Sequence, residues 1–414
     1  MIKQLYNKYY VMIHNFSYLI LLRGLTLVVP LLTYPYLIRE LGINNYGLVM
    51  WAWAIAELFI VFIKFGFDTL GIKLISENRD DKAEVSKIFF QITYIKIGLF
   101  IFSMLIFLLL TTNIDKIANH QDLFLYFTLF IFFESMFPIW YFQGIENMKV
   151  MAILVSLIKL SFALLVFIFI HNETDYTKVP ILYALGSMIA NTIAYFLIYK
   201  HNIKFVSVKV ILSSMPILKE SFYILFSTIG TVLRDRVTII LIEKYLGLSS
   251  VAYFDLALKI INILLTPFHI ISQVIYPHIA KTKDMLFLQK IISGVFILSI
   301  GIVIIFNFNL TNIVILTNGK FDQDLYNIMN ILIFIIPIGI LSAFIGTNIL
   351  INFKYSKWLT ISMIYASISY GAVFYFCDIT DIETYIYMFL MYFIVELLVR
   401  LWKVQNIYKK VLNV

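Results

Sequence analysis

VMAILVSLIKLSFALLVFIFI, residues 150–170, is an apolar run of 21 residues carrying a single charged side chain, Lys159. A helix rises about 1.5 Å per residue and the hydrocarbon core of a bilayer is about 30 Å thick, so roughly 20 such residues cross it. Lys149 stands before the run, and His171-Asn172-Glu173 closes it. Read outward on the same rule, with breaks where Gly, Asn, Asp and Lys cluster, the chain has helices near 13–38, 46–70, 88–111, 122–144, 150–170, 179–199, 218–243, 250–280, 288–311, 325–351, 358–377 and 384–405. The fold class expected is therefore all-α integral membrane, with twelve transmembrane helices.

Composition agrees. Of 414 residues 61% are hydrophobic and 14% charged, against about 45–50% and about 25% in soluble domains. Aromatic rings, with 38 Phe, 27 Tyr and 5 Trp, suit lipid-facing walls and the headgroup interface. The net charge of +8 would raise the question of nucleic acid in a soluble protein, but most of these basic residues fall in short loops between apolar runs. One cysteine, Cys377, and six scattered histidines provide neither a disulfide within the chain nor metal spacing, and no cofactor is expected. The first apolar stretch runs past Arg23 to about Ile38 and reads as a retained helix, not a cleaved leader.

Loop charge sets the orientation. With the N-terminus in the cytoplasm, eighteen Lys and Arg residues fall on that side and five (Arg39, Lys116, Lys178, Lys244 and Lys320) on the other. That asymmetry predicts both termini inside and supports an even helix count. Leu41-Gly42 and Leu246-Gly247 end helices one and seven at an offset of 205 residues, about half the chain. Two parallel six-helix lobes follow, 1–199 and 218–414, joined by a cytoplasmic linker at 200–217.

Charges at mid-bilayer cost about 2.5–3.5 kcal/mol or more each and face a cavity or a partner. On helix two, Glu57, Lys64 and Asp68 share one face by spacing, as a water-filled wall or as a Lys64–Asp68 pair at i,i+4. Arg234-Asp235-Arg236 on helix seven points three charges about 100° apart, so one neighbouring helix cannot satisfy them all; the alternative is a network clamping that helix. Asp255 and Lys259, and Glu396 and Arg400, are further i,i+4 pairs, with Arg400 free to snorkel to the interface. Lys96 has Glu134 as a prospective partner, and Lys159 has none nearby in sequence. Prolines 30, 35, 138, 267, 277 and 337 are candidate hinges.

Three segments carry a family resemblance. Tyr34-Pro35-Tyr36-Leu37-Ile38-Arg39-Glu40-Leu41-Gly42-Ile43-Asn44-Asn45-Tyr46-Gly47 resembles the first-loop signature of the bacterial polysaccharide-export family, within the multidrug/oligosaccharidyl-lipid/polysaccharide superfamily. Trp140-Tyr141-Phe142-Gln143-Gly144 resembles the corresponding segment of Wzx-type O-antigen flippases, and Val251 to Lys259 is similar to the same family in the second half. The resemblance implies a flippase that carries undecaprenyl-diphosphate-linked repeat units from the cytoplasmic to the periplasmic face of the bacterial inner membrane. It implies a MATE-like V of two lobes around a central cavity lined mainly by helices one, two, seven and eight. On that reading Arg23, Lys64, Arg234, Arg236 and Lys259 form a basic path for the diphosphate. Glu57, Asp68, Asp235 and Asp255 serve coupling or charge balance. The implied partners are the lipid-linked oligosaccharide, membrane lipid, and the polymerase and chain-length proteins of the same pathway, with no nucleic acid. Two alternatives stand beside it: a multidrug exporter of organic cations from the same superfamily, and a membrane-embedded glycosyltransferase or polymerase. Short outer loops and the lack of a phosphate loop or nucleophile–base set weigh against an enzyme.

Overall fold

The computed structural model describes residues 2–353, 355–376 and 381–412, with the side chains of 2–23, 25–27, 223, 226–231, 233, 277–278, 280–281 and 407–412 outside the description. All regular structure among these residues is helical: α1 Ile2–Lys64, α2 Phe67–Glu77, α3 Lys82–Asn113, α4 Asp115–Ala118, α5 Gln121–Met136, α6 Ile139–Gly144, α7 Met148–Phe169, α8 Lys178–Lys200 and α9 Met215–Leu246. The series continues with α10 Leu248–Thr282, α11 Met285–Phe308, α12 Leu310–Asn318, α13 Gln323–Leu332, α14 Ile335–Phe344, α15 Lys357–Phe376 and α16 Ile382–Leu412. A π-helical turn, Ile345–Ile351, follows α14. The chain forms two units, Met1–Arg236 and Val237–Val414, with the division inside α9.

Ten segments among the described residues are long and apolar enough to cross a membrane. The first, Val28–Glu77, contains the backbone kink at Gly42 and so joins the first two predicted spans. The predicted seventh span lies in α9, which carries Arg234-Asp235-Arg236 and is not among the ten. Large side chains such as Ile101, Leu105, Leu109, Ile297, Leu298 and Ile305 are exposed along α3 and α11. Apolar side chains exposed in this way on each helix belong in lipid. The protein is a multi-pass membrane protein.

Local chemistry sets the helix boundaries. Asp81 accepts hydrogen bonds from the backbone N–H groups of Ala83 and Glu84 and starts α3; Asn147, Asp284 and Asp322 cap α7, α11 and α13 in the same way. Pro138 separates α5 from α6, so the predicted helix 122–144 is two helices. Gly42 (φ 75°, ψ 160°) and Gly247 (φ 86°, ψ 179°) adopt the same glycine-only conformation. The Leu-Gly repeat therefore marks two bends of one kind, each allowed by the missing Cβ.

The connection after α8 lies along α3. Tyr94 Oη donates to the Val206 carbonyl at 2.7 Å, Gln91 Nε2 to Ser213 Oγ at 3.0 Å, and the Lys204 N–H to Ser86 Oγ at 3.1 Å. The Trp-Tyr-Phe-Gln-Gly segment forms α6 and packs on α2. A Cβ on Gly71 would lie 2.6 Å from the Trp140 ring, and one on Gly144 would lie 2.6 Å from Ile75. Backbone approaches this close need glycine, which accounts for the aromatic-then-glycine order of the motif.

Candidate functional site

Lys64 ends α1, and the helix breaks immediately after it at Phe65 (φ 46°) and Gly66 (φ 77°). Gly66 is required twice over, by its left-handed backbone and because a Cβ there would sit 2.7 Å from the Ser221 carbonyl of α9. The break corrects the expectation of one helix from 46 to 70. Asp68 begins a new helix, α2, and turns toward α3.

Partners shift accordingly. Asp68 lies 3.1 Å from Lys96 Nζ and 3.7 Å from Lys64 Nζ, and Lys64 reaches Glu134 at 3.4 Å. Lys96 also donates to the Ser135 carbonyl at 3.2 Å. The expected Lys96–Glu134 pair is thus replaced by Lys96–Asp68 and Lys64–Glu134, with Lys64–Asp68 as a longer contact. Two cations and two anions from α1, α2, α3 and α5 close on one another. Each desolvated charge is offset by an opposite one a few ångströms away.

Glu57, seven residues before Lys64, belongs to a different set. Trp53 Nε1 donates to Glu57 Oε1 at 3.0 Å, and Arg236 Nη2 pairs with Glu57 Oε2 at 2.7 Å. Arg234 Nε pairs with its neighbour Asp235 at 2.6 Å. The three successive charges of α9 are therefore divided between a partner on α1 and one inside the triplet. The Arg23 side chain lies outside the described residues, as do Cys377 and the side chain of Pro277.

Lys159, the single charged residue of the run 150–170, stands apart. Its ammonium donates to Tyr183 Oη at 3.1 Å and lies 5.1 Å from the centre of the Tyr183 ring. No carboxylate lies within ion-pair distance of it among the described residues. The Trp53 ring packs edge-on to Tyr183 at 5.1 Å, so one aromatic pair links Lys159 to the residues holding Glu57 and Arg236. The sequence marks Lys159 as a candidate by a lone charge in the centre of an apolar run; its contact Tyr183, 24 residues away on another helix, is what spacing does not reveal.

In the second unit Lys259 and Asp255 pair at 2.5 Å on α10, as their spacing predicts. Arg400 does not snorkel. It is buried, and it donates from Nη2 to Glu396 at 2.6 Å, from Nη1 to the Ser342 hydroxyl at 2.9 Å and carbonyl at 2.8 Å, and from Nε to Ser362 at 3.0 Å. These bonds tie α14, α15 and α16 together. Each described member of the expected basic path, namely Lys64, Arg234, Arg236 and Lys259, has a carboxylate partner.

A multi-pass helical bundle of this kind has solved counterparts. The chain superposes on a lipid II flippase MurJ in an inward closed conformation with a TM-score of 0.72 at 17% identity, covering 95% of this chain and 87% of that one. It superposes on an inward-facing multidrug resistance MATE family transporter of the MOP superfamily with a TM-score of 0.68 at 14% identity, covering 92% and 98%. At these identities the likeness establishes the fold, which is MATE-like. The sequence pattern described as polysaccharide biosynthesis protein matches residues 12–283, more than half of the chain, and the chain belongs to that family. Two proteins named "Putative O-antigen transporter" are similar to it. The one from Escherichia coli (strain K12) is 28% identical over 271 residues, which is 65% of each chain and a little under two thirds of that relative's length. The one from Shigella dysenteriae is 23% identical over 282 residues, 67% of this chain and 69% of the relative.

Proposed function

We propose that this chain is a flippase, not an enzyme, that moves undecaprenyl-diphosphate-linked polysaccharide repeat units from the cytoplasmic to the periplasmic face of the bacterial inner membrane, with both termini in the cytoplasm. The observation that carries this reading is family membership together with relatives that have O-antigen transport in their names. The fold it shares with a lipid II flippase supports the same class of cargo. Lys64, Arg234, Arg236 and Lys259, with Arg23, are the groups that would meet the diphosphate. Their carboxylate partners Glu57, Asp68, Asp235 and Asp255 hold the charges balanced when no substrate is present.

The charge inventory of the first unit favours an anionic cargo. Among the described residues its interior basic side chains are Lys64, Lys96, Lys159, Arg234 and Arg236, against the acidic Glu57, Asp68, Glu134 and Asp235. The cations exceed the anions by Lys159. An organic cation would meet the wrong sign there, whereas a diphosphate supplies the missing one. Arg236 has the planar fork that binds a phosphate through two parallel bonds, and it stays charged when desolvated.

A strain lacking the protein, complemented with wild type, Lys159→Met, Arg236→Lys or Glu57→Gln, tests this reading. The measurements are surface polysaccharide, lipid-linked single units on the cytoplasmic leaflet, and the membrane level of each variant. The deletion strain should lose the surface polymer and accumulate single units. Lys159→Met and Arg236→Lys should fail to restore export at normal protein level. Normal export in the deletion strain, or variant activity that merely follows protein level, would refute the assignment or the site respectively.

A further inference from the structure

The second unit carries a groove of about 750 Å³ between α15 and α16. Trp358, Ile361, Ile364 and Ile368 line it from α15, and Leu398 and Trp402 from α16. The α15 residues recur every three or four positions and so form one stripe. Ile364, Ile368 and Leu398 are 49%, 63% and 58% exposed. From Trp358 to Ile368 the stripe is about 15 Å long, half of the roughly 30 Å hydrocarbon and thus the depth of one leaflet.

One end of the groove is polar, and its charge has one sign. Lys403 sits 4.7 Å from the centre of the Tyr355 ring and 4.6 Å from that of Trp358, and the Trp358 and Trp402 rings lie 5.4 Å apart. Lys357 is exposed in the first turn of α15, where the helix dipole also favours an anion. Residues 351–376 and 397–414 contain no Asp or Glu. On neighbouring segments Glu396 is engaged with Arg400, and Asp284 caps α11. Rings hold the Lys403 ammonium by its charge and leave its N–H donors available.

We infer that this groove is a binding site for one anionic phospholipid, with the phosphate headgroup at Lys403 and Lys357, the indoles of Trp358 and Trp402 at the headgroup level, and one acyl chain along the isoleucine stripe. A soluble anion would leave the apolar stripe unused. A zwitterionic lipid would leave the basic end without net compensation, and a polyprenyl chain is longer than the single-leaflet groove. The site is independent of the diphosphate reading and rests on different residues.

The test uses full-length protein in vesicles of phosphatidylethanolamine and phosphatidylglycerol, extracted gently and weighed by native mass spectrometry. Wild type should retain phosphatidylglycerol with a preference of about 25-fold, about fivefold for each of the two basic residues near the surface. Lys403→Gln should cut the preference to about fivefold, and Lys403→Gln with Lys357→Gln should bring the two lipids to parity. Leu398→Trp, which fills the groove, should abolish retention, and Ile364→Phe on its exposed side should do the same if Leu398→Trp lowers thermal stability. Equal retention of the two lipids by wild type, or unchanged preference in Lys403→Gln, would overturn the proposal. So would displacement of phosphatidylglycerol by undecaprenyl phosphate at equal mole fraction, because the groove would then be a polyprenyl site.

Discussion

Replacing Arg400 by Met removes a guanidinium that makes four bonds inside the second unit, to Glu396, twice to Ser342, and to Ser362. Glu396, 6% exposed, keeps the Ser342 hydroxyl at 3.0 Å as its partner among the described residues and becomes a buried, uncompensated charge. Breaking a buried pair on one side costs about 3–5 kcal/mol, and a domain of 150–250 residues loses about 2–4 °C of Tm per kcal/mol. The second unit spans residues 237–414, so the expected drop is on the order of 10 °C. Glu396→Gln, which strands the arginine instead, should cost a similar amount. The double variant Arg400→Met/Glu396→Leu removes both charges and should recover most of the loss, because apolar replacement of a complete pair is often neutral. Ser362 keeps its bond to the Leu359 carbonyl at 2.8 Å in either background. The assay is a detergent melting curve followed by size exclusion. A single variant that melts within about 2 °C of wild type, or a double no better than either single, refutes the claim that this network is held by its charges.

Four further outcomes are expected. Gly71→Ala drives a Cβ to 2.6 Å from the Trp140 ring and should lower stability by about 1–3 kcal/mol, read as reduced membrane level and Tm. Lys96→Met strands Asp68 beside Lys64 alone and should cost about 3–5 kcal/mol in the same melting assay, whereas Lys159→Met should leave the melting curve near wild type because no carboxylate is stranded. Reporter fusions after residues 45, 117, 175, 247, 320 and 381 should report the periplasm and those near 80, 205, 285 and 355 the cytoplasm, and a consistent reversal beyond any helix would overturn the topology. Burial first, and the Lys82 charge second, hold the His201 imidazole below its ordinary pKa; the folded state then resists protonation, so stability present above about pH 6.5 is lost as pH falls below it, and His201→Gln should flatten that slope in detergent melts.

Much of the architecture was legible in the sequence because it depends on quantities local to the chain. Apolar run length located the helices, and the described residues of the twelve predicted ranges fall almost entirely on helix, though four ranges are split, at Phe65-Gly66, Phe137-Pro138, Asn309 and Ile333-Phe334, and ten segments are long and apolar enough to cross a membrane. The paired Leu-Gly motifs marked two bends whose glycines share one backbone conformation. The i,i+4 pairs Asp255–Lys259 and Glu396–Arg400 followed from helical periodicity alone. The family segments were equally readable, since they rest on residue order.

What the chain alone did not determine is which charge meets which. Lys64 finds Glu134 70 residues away, Lys96 finds Asp68 28 away, and Arg236 finds Glu57 on α1. Hydrocarbon offers an ion no solvent, so its partner is whichever opposite charge the packed helices bring within reach, and that depends on helix rotation. The rotation of Asp68 depends in turn on the break at Phe65-Gly66, which a glycine inside an apolar run permits but does not demand. Ser221 of α9, whose carbonyl occupies the space a Cβ would need, makes that break a tertiary outcome. Arg400 shows the same physics in reverse: its length allowed an exit to the interface, and the hydroxyls of Ser342 and Ser362 with the Glu396 carboxylate made the interior a lower-energy place for it.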